Sequence, residues 1–136
     1  MNKVVAYDVG LLILRVVLGS IFIVHGSQKL FGAFGGSGME GVVSLVKQLG
    51  FSPPQFWAWV LALTESLGGI CLVLGLLPRI SAAFIGIAMI VAIIKVQGPN
   101  GFFASKGGCE YQLLILGTCI LFVLTGSGKL SLFNKF

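Results

Sequence analysis

The residues with the clearest capacity for chemistry lie inside otherwise apolar stretches of the sequence. His25 and Lys29 are four residues apart near the end of the first stretch, so they share one face of a helix. Glu110 and Tyr111 open the last stretch at a similar depth. Cations around one carboxylate suit an anionic ligand or a quinone headgroup, and histidine titrates near neutrality. The alternative is a closed polar cap that only satisfies helix ends. Three amides belong to the same neighbourhood: Gln28, Gln97 and Gln112.

A second polar pair, Arg15 and Glu65, lies deeper in the apolar stretches. An ionisable side chain inside a membrane helix costs at least about 2.5 kcal/mol, so it faces a partner or a cavity. Helical rise places the two residues at depths that differ by about 7 Å, within the reach of an arginine. We expect a buried ion pair that fixes helix register. The alternative is a proton or substrate relay in which Glu65 titrates.

Both groups together predict a pocket that opens toward the outer face of a membrane and has its floor near Glu65. Phe22 and either Trp57 or Trp59 would supply its apolar walls. No residue receives a catalytic role at this stage. The candidate binding residues are Arg15, His25, Lys29, Glu65, Glu110 and Tyr111.

The cysteines and short motifs give no sign of a self-sufficient redox enzyme. Cys71 and Cys119 lie in apolar runs, as small core residues do, and only Cys109 in a polar loop merits a redox test. The three cysteines form no C-x-x-C pair and no metal-ligand spacing with His25. There is also no nucleotide-binding loop. We therefore expect neither a metal nor a nucleotide; the cofactor is unknown, and a quinone is compatible.

The composition identifies the bilayer as the solvent of this protein. Of 136 residues, 57% are hydrophobic and 10% are charged, and the mean hydropathy is +1.05. A soluble domain would carry about a quarter charged residues. The net charge of +5 is scattered rather than arranged in a basic stripe, so no nucleic-acid partner is expected.

The hydropathy pattern predicts an all-α fold, a polytopic antiparallel bundle of four transmembrane helices in one domain over residues 1–136. A glycine-rich segment follows the first span, and apolar residues then recur at helical spacing, which predicts a short interfacial helix near 39–49. The stripe of Ala58, Ala62 and Ser66 indicates close helix packing, or less directly a homo-oligomer. The predicted spans are 9–30, 55–77, 80–97 and 110–125.

The sequence resembles the DoxX family of small membrane proteins over nearly its whole length. The resemblance implies a four-helix bundle with both termini cytoplasmic in the cell (inner) membrane, whereas the balance of Lys and Arg between the two sides decides nothing. It also implies that six polar residues stand at characteristic positions of the family: Arg15, His25, Lys29, Glu65, Arg79 and Glu110. Cys109 departs from the family, where an aromatic residue is common. The matching segments are LRVVLGSIFIVHGSQKLFG, ESLGGICLVLGLLPR, GFFASKGGCEY and GSGKLSL.

Functions associated with the family include thiosulfate oxidation coupled to quinone, handling of oxidative stress, and maturation of redox enzymes. The first hypothesis is therefore a membrane subunit of a redox system that binds quinone or a small anion near the outer face. A soluble oxidoreductase partner would carry the chemistry, so the chain itself could be a non-catalytic subunit. The alternatives are a small-solute transporter or channel, gated by Arg15 and Glu65, and a membrane chaperone or scaffold.

Overall fold

The computed structural model describes residues 2–133, which form an all-α structure. Its five α-helices are α1 Lys3–Phe31, α2 Gly38–Gln48, α3 Pro54–Leu74, α4 Pro78–Ala92 and α5 Glu110–Thr125. A π-helical segment, Ile93–Gln97, continues α4. Short 3-10 turns cover Ala33–Gly35, Gly98–Asn100 and Ala104–Lys106.

Three helical runs in the described chain are long and apolar enough to cross a membrane: Lys3–Phe31, Pro54–Leu74 and Pro78–Asn100. The fourth apolar helix, α5, has 16 residues and is about 24 Å long. The helix α2 is short and lies between the first two spans, where the sequence predicted an interfacial helix. The fold class, a membrane bundle of four helices with one short additional helix, is confirmed.

Local capping determines where the helices begin and end. The Asn2 side chain accepts a hydrogen bond from Val4 N (3.4 Å), so α1 starts six residues before the predicted span. Helix α3 ends at Leu74 because Gly75 has φ +74°, a left-handed conformation that glycine adopts readily. The predicted span continues to residue 77, because the sequence places the corner at Pro78 and Arg79.

Glycines allow α1 and α3 to approach each other closely in antiparallel register. A Cβ atom added to Gly19 would lie 2.6 Å from Gly69 O, and one added to Gly26 would collide with Ser66. Such contacts bring backbones together as they do in membrane helix pairs. Gly19 therefore lies opposite Gly69, and Gly26 lies opposite Ser66, which fixes the register of the two helices.

The remaining helices complete the bundle through buried apolar contacts. Val42 and Val46 of α2 pack against Ala58 of α3, so the small-residue stripe is used inside the subunit. Gly68 of α3 faces Ile85 of α4, with a distance of 3.1 Å from an added Cβ to Ile85 Cδ1. The main core joins α1, α3, α4 and α5 and contains Leu11, Leu18, Phe22, Leu72, Ala82, Ile85, Met89, Ile115, Cys119 and Phe122.

The bundle has two ends that we name by the segments that form them. The terminal face contains the start of α1, the corner 75–77 and the segment 126–133. The loop face, at the other end, contains residues 32–53 and 98–109. Lys129 N donates to Asp8 Oδ1 (3.0 Å), so the last described segment folds back against the start of α1.

Candidate functional site

An ion pair between Lys29 and Glu65 is the main charged feature inside the bundle. Lys29 Nζ lies 2.6 Å from Glu65 Oε2, and the side chains are 19% and 7% exposed. Glu65 is on the buried face of α3, and Lys29 is in the last turn of α1. Because the helices are antiparallel, the end of α1 reaches the middle of α3. Within residues 2–133 no other ion pair forms.

The predicted pairing of Arg15 with Glu65 is wrong, and helix register explains why. The contact of Gly19 with Gly69 puts Arg15 level with Gly75, where an added Cβ would lie 2.7 Å from an Arg15 terminal nitrogen. Gly75 is ten residues beyond Glu65, which corresponds to about 15 Å along the helix axis. That distance exceeds the reach of an arginine side chain, so Glu65 pairs with Lys29 instead.

Arg15 holds the last described segment of the chain in place. Its guanidinium donates to Ser127 O (2.9 Å) and Leu130 O (2.7 Å), and the residue is only 2% exposed. Arg15 Nε is buried and finds no acceptor in the described part of the chain. The carbonyl oxygens of a non-helical segment thus satisfy a buried charge that the sequence had assigned to a carboxylate.

A cavity of about 340 Å³ lies beside the Lys29–Glu65 pair. This volume falls within the usual range for small-molecule sites, about 300–1,000 Å³. Helices α1, α3, α4 and α5 all contribute to its walls, and α2 and Phe51 add to them near the loop face. Most of the lining is apolar, and the aromatic contributors are Phe22, Phe51, Trp57, Phe84 and Tyr111.

Four of the six candidate residues line this cavity: His25, Lys29, Glu65 and Tyr111. His25 contacts the ring of Phe22, with a centroid distance of 6.4 Å. Trp57 lines the cavity, and Trp59 does not.

The other two candidates, Arg15 and Glu110, lie outside the cavity lining. Glu110 Oε1 instead accepts a hydrogen bond from Ala104 N (2.8 Å) and ties the start of α5 to the preceding turn. It is a half-buried loop contact at the loop face. Glu110, which the sequence grouped with His25 and Lys29, therefore lies outside the lining that contains those two residues.

Two glutamines add polar groups that the sequence noted only as neighbours of the site. Gln97 Oε1 and Gln112 Oε1 are buried without a hydrogen-bond partner in the described residues, and both side chains line the cavity. A buried acceptor without a donor costs about 1–3 kcal/mol. In the sequence, the only indication of a place in the cavity lining is that Gln97 ends the third apolar run and Gln112 stands near the start of the last one.

The π-helical segment Ile93–Gln97 positions the end of α4 over the cavity. Lys95 Nζ donates to Leu49 O (3.3 Å) and lies 5.2 Å from the centre of the Phe51 ring. These contacts connect α4 to the segment after α2 at the loop face. π-Helical turns occur frequently at functional sites, where they redirect side chains.

Comparison with known proteins identifies the family. The DoxX family model matches residues 10–98, which include His25, Lys29 and Glu65. The chain belongs to the DoxX family. A Bacillus subtilis (strain 168) protein named "Putative oxidoreductase CatD" is 38% identical over 132 residues, 97% of this chain and 89% of the relative. An uncharacterized protein of Haemophilus influenzae (strain ATCC 51907 / DSM 11121 / KW20 / Rd) is 32% identical over 130 residues, 90% of this chain and 87% of the relative. No solved structure matches this DoxX chain significantly.

The geometry of this DoxX cavity suits an uncharged ligand with an apolar body and polar oxygens. Glu65 compensates the charge of Lys29, so the pair adds no net charge to the cavity wall. The Lys29 ammonium nevertheless has further N–H groups to donate. His25 and Tyr111 can donate or accept, and the two glutamine amides can do both. Hydrogen bonds are therefore available from α1 and α3 and also from α4 and α5.

Proposed function

We propose that this DoxX protein is the membrane subunit of a redox system and that its cavity binds the headgroup of a quinone. The observation that carries this proposal is the 340 Å³ apolar cavity with the Lys29–Glu65 pair in its wall. A quinone ring is apolar and carries carbonyl oxygens on opposite edges. Hydrogen-bond donors on α1 lie on one side of the cavity, and donors at the end of α4 and the start of α5 could meet the oxygen on the opposite edge of the ring. The oxidoreductase name of the Bacillus subtilis relative supports the redox association.

Charge compensation favours a quinone over the small anionic substrate that the sequence also allowed. An anion in an apolar cavity needs an excess of positive charge. Glu65 already neutralises Lys29, and Lys29 is the one Lys or Arg among the lining residues. A neutral quinone requires only hydrogen-bond donors.

The electrons come from a reduced centre of a soluble oxidoreductase partner. Conversion of a quinone to a hydroquinone consumes two electrons and two protons. In this proposal the DoxX chain binds and orients the ring, and His25 and Glu65 relay the protons toward the quinone oxygens. The competing idea of a transport gate made by Arg15 and Glu65 has lost its basis, because the two residues are about 15 Å apart along the helices.

Tryptophan fluorescence provides the direct test. The chain has two tryptophans, and only Trp57 lines the cavity. In purified Trp59→Phe protein, a short-tailed ubiquinone analogue should quench Trp57 with saturation at a stoichiometry of one. The matched Trp57→Phe protein should show only weak quenching that rises linearly with concentration. Equal, non-saturating quenching of both proteins would contradict quinone binding. If quinone does not bind and another protein co-purifies with this one, the scaffold alternative is favoured.

The orientation in the membrane forms part of the same proposal. We propose that both termini are cytoplasmic and that the protein lies in the cell (inner) membrane, as the family resemblance implies. Cys109 precedes α5 at the loop face and is half-buried. A membrane-impermeant maleimide should then label Cys109 from outside the cell, with Cys109→Ser as the control. Labelling of Cys109 from the cytoplasmic side alone would reverse the orientation.

A further inference from the structure

We propose that the ligand enters the cavity sideways from the hydrocarbon core of the bilayer, through a cleft between α3 and α4. The tail of the ligand would stay in this cleft while its headgroup lies beside Lys29 and Glu65. The inference rests on the proposed function, because it specifies the ligand as a quinone with a long apolar tail. It also replaces the expected mouth at the outer face with one inside the membrane.

Helices α3 and α4 are joined at the terminal face and contact each other on that side of the bundle. The corner 75–77 joins them, and Gly68 meets Ile85 soon after it. The residues of α3 that line the cavity, from Trp57 to Glu65, all lie on the loop side of Gly68. On α3 the lining thus lies on the loop side of this contact, and on α4 it begins beside the contact at Phe84 and continues toward the loop face.

Apolar residues along both helices line the cavity and also reach the outer surface of the bundle. On α3 these residues are Val60 and, nearer the loop face, Trp57 (40% exposed); on α4 Phe84 and Ile87 follow each other at helical spacing. The exposed fractions of Val60, Phe84 and Ile87 are 36%, 55% and 58%. A residue that borders a cavity and remains this exposed belongs to its edge. Val60 on one side and Ile87 on the other therefore form the two lips of the cleft, and Phe84 continues the α4 lip toward the terminal face.

The depth of these lips places the opening in the hydrocarbon rather than in water. Val60 lies six residues from the loop-face start of α3, and Phe84 lies six residues from the terminal-face start of α4. Each is therefore about 9 Å from its helix end in a core of about 30 Å. A cleft at this depth is in contact with lipid chains. A ligand that uses it must be soluble in the bilayer.

The loop end of the cavity is covered by the chain itself. Leu45, Val46 and Leu49 of the α2 region contribute to the lining there, and Lys95 bridges from the end of α4 to Leu49 O. Phe51 lies under the Lys95 ammonium. A ligand arriving from water would have to displace these contacts, whereas one arriving between α3 and α4 would not.

The test compares two quinones that share a headgroup, one without a tail and one with a long isoprenoid tail. Binding is measured by Trp57 quenching in Trp59→Phe protein in nanodiscs. The cleft variant carries Val60→Phe and Thr64→Phe, both at cavity-lining positions of α3. The matched control carries Leu63→Phe and Leu67→Phe, at lipid-exposed positions of the same helix outside the lining.

In the cleft variant we expect the affinity for the long-tailed quinone to fall at least tenfold and that for the tail-less quinone to change less than about threefold. The control should bind both as the parent does. Unchanged binding of the long-tailed quinone would overturn lateral entry and leave the proposed function intact. Equal loss of both quinones would also overturn it, because the substituted positions would then belong to the headgroup site. If the parent binds neither quinone, both proposals are wrong.

Discussion

At the scale of single residues, Glu65 shows how a buried charge depends on one partner. The carboxylate is 7% exposed, and its only ion-pair partner in the described chain is Lys29 at 2.6 Å. The sequence correctly indicated that a titratable group in the middle of an apolar helix needs a partner or a cavity. Glu65 has both, since it forms the pair and also lines the cavity.

Removing one member of this pair should destabilise the protein. We expect Glu65→Ala to lower the free energy of unfolding by about 3 kcal/mol, because it leaves Lys29 buried without a counter-charge. The value is at the low end of the range for buried pairs because Lys29 is partly exposed and can extend toward water. Reversible unfolding in mixed detergent micelles, followed by circular dichroism, measures the change.

Two further variants control this experiment. Glu40→Ala removes an exposed carboxylate on α2 and should change stability by less than about 0.5 kcal/mol. The double variant Lys29→Met, Glu65→Leu should recover most of the loss, because neither charge remains buried. If Glu65→Ala unfolds like the parent, the pair has no role in stability.

At the scale of elements, the contact between α1 and α3 decides which polar residues meet. Gly19 and Gly69 lie against each other's backbone, and this contact fixes the level of every side chain on the two helices. It places Lys29 beside Glu65 and Arg15 beside Gly75. A shift of one helical turn, about 5.4 Å, would separate the ion pair.

A methyl group at this contact should therefore be damaging. In Gly19→Ala the new Cβ would lie 2.6 Å from a backbone oxygen, so the helices must move apart. We expect a loss of roughly 1–3 kcal/mol in stability, as for overpacked cores. Gly10→Ala on the same helix is the matched control, because no atom lies within 4 Å of its added Cβ.

The control should be neutral or slightly stabilising, since alanine exceeds glycine in helix propensity by up to about 1 kcal/mol. Thermal unfolding of both variants in the same detergent distinguishes a packing effect from a general effect of alanine. Equal unfolding temperatures for Gly19→Ala and Gly10→Ala would show that α1 and α3 do not approach as closely as described.

At the scale of the whole molecule, Arg15 connects the first helix to the last described segment. Its guanidinium reaches Ser127 O and Leu130 O across more than a hundred residues of sequence, and Asp8 binds Lys129 N beside it. The first half of α1 and residues 127–130 are thereby joined at the terminal face. This arrangement gives the buried arginine a structural role distant from the cavity.

Loss of Arg15 should release this segment. In Arg15→Met, the carbonyl oxygens lose charge-assisted hydrogen bonds worth about 1.5–3 kcal/mol each. We expect trypsin to cut after Lys129 at least several times faster than in the parent, as measured by mass spectrometry in nanodiscs. Arg79→Met is the matched control, because exposed Arg79 makes one long contact with Leu124 O (3.5 Å). Cleavage of Arg15→Met at the parent rate would mean that the segment is held by other contacts.

The sequence by itself determined the solvent, the helices and the identity of the buried polar residues. Hydropathy is a sum over neighbouring residues, so 57% hydrophobic residues in four long runs already require membrane helices. The short α2 helix followed from helical spacing of its apolar residues. The grouping of His25 and Lys29 followed from helical geometry alone, since residues four apart share a face.

Only the tertiary structure decided the partners of those polar residues. Depths counted from predicted span ends carry errors of several residues, and α1 begins six residues and α3 ends three residues before the predicted limits. The contact between Gly19 and Gly69, which are far apart in sequence, sets the actual register of α1 and α3 and places Glu65 beside Lys29. The return of residues 127–130 to Arg15 and the set of residues that line the cavity likewise depend on how elements pack. Local sequence patterns specify elements, but the relative placement of elements is a property of their contacts.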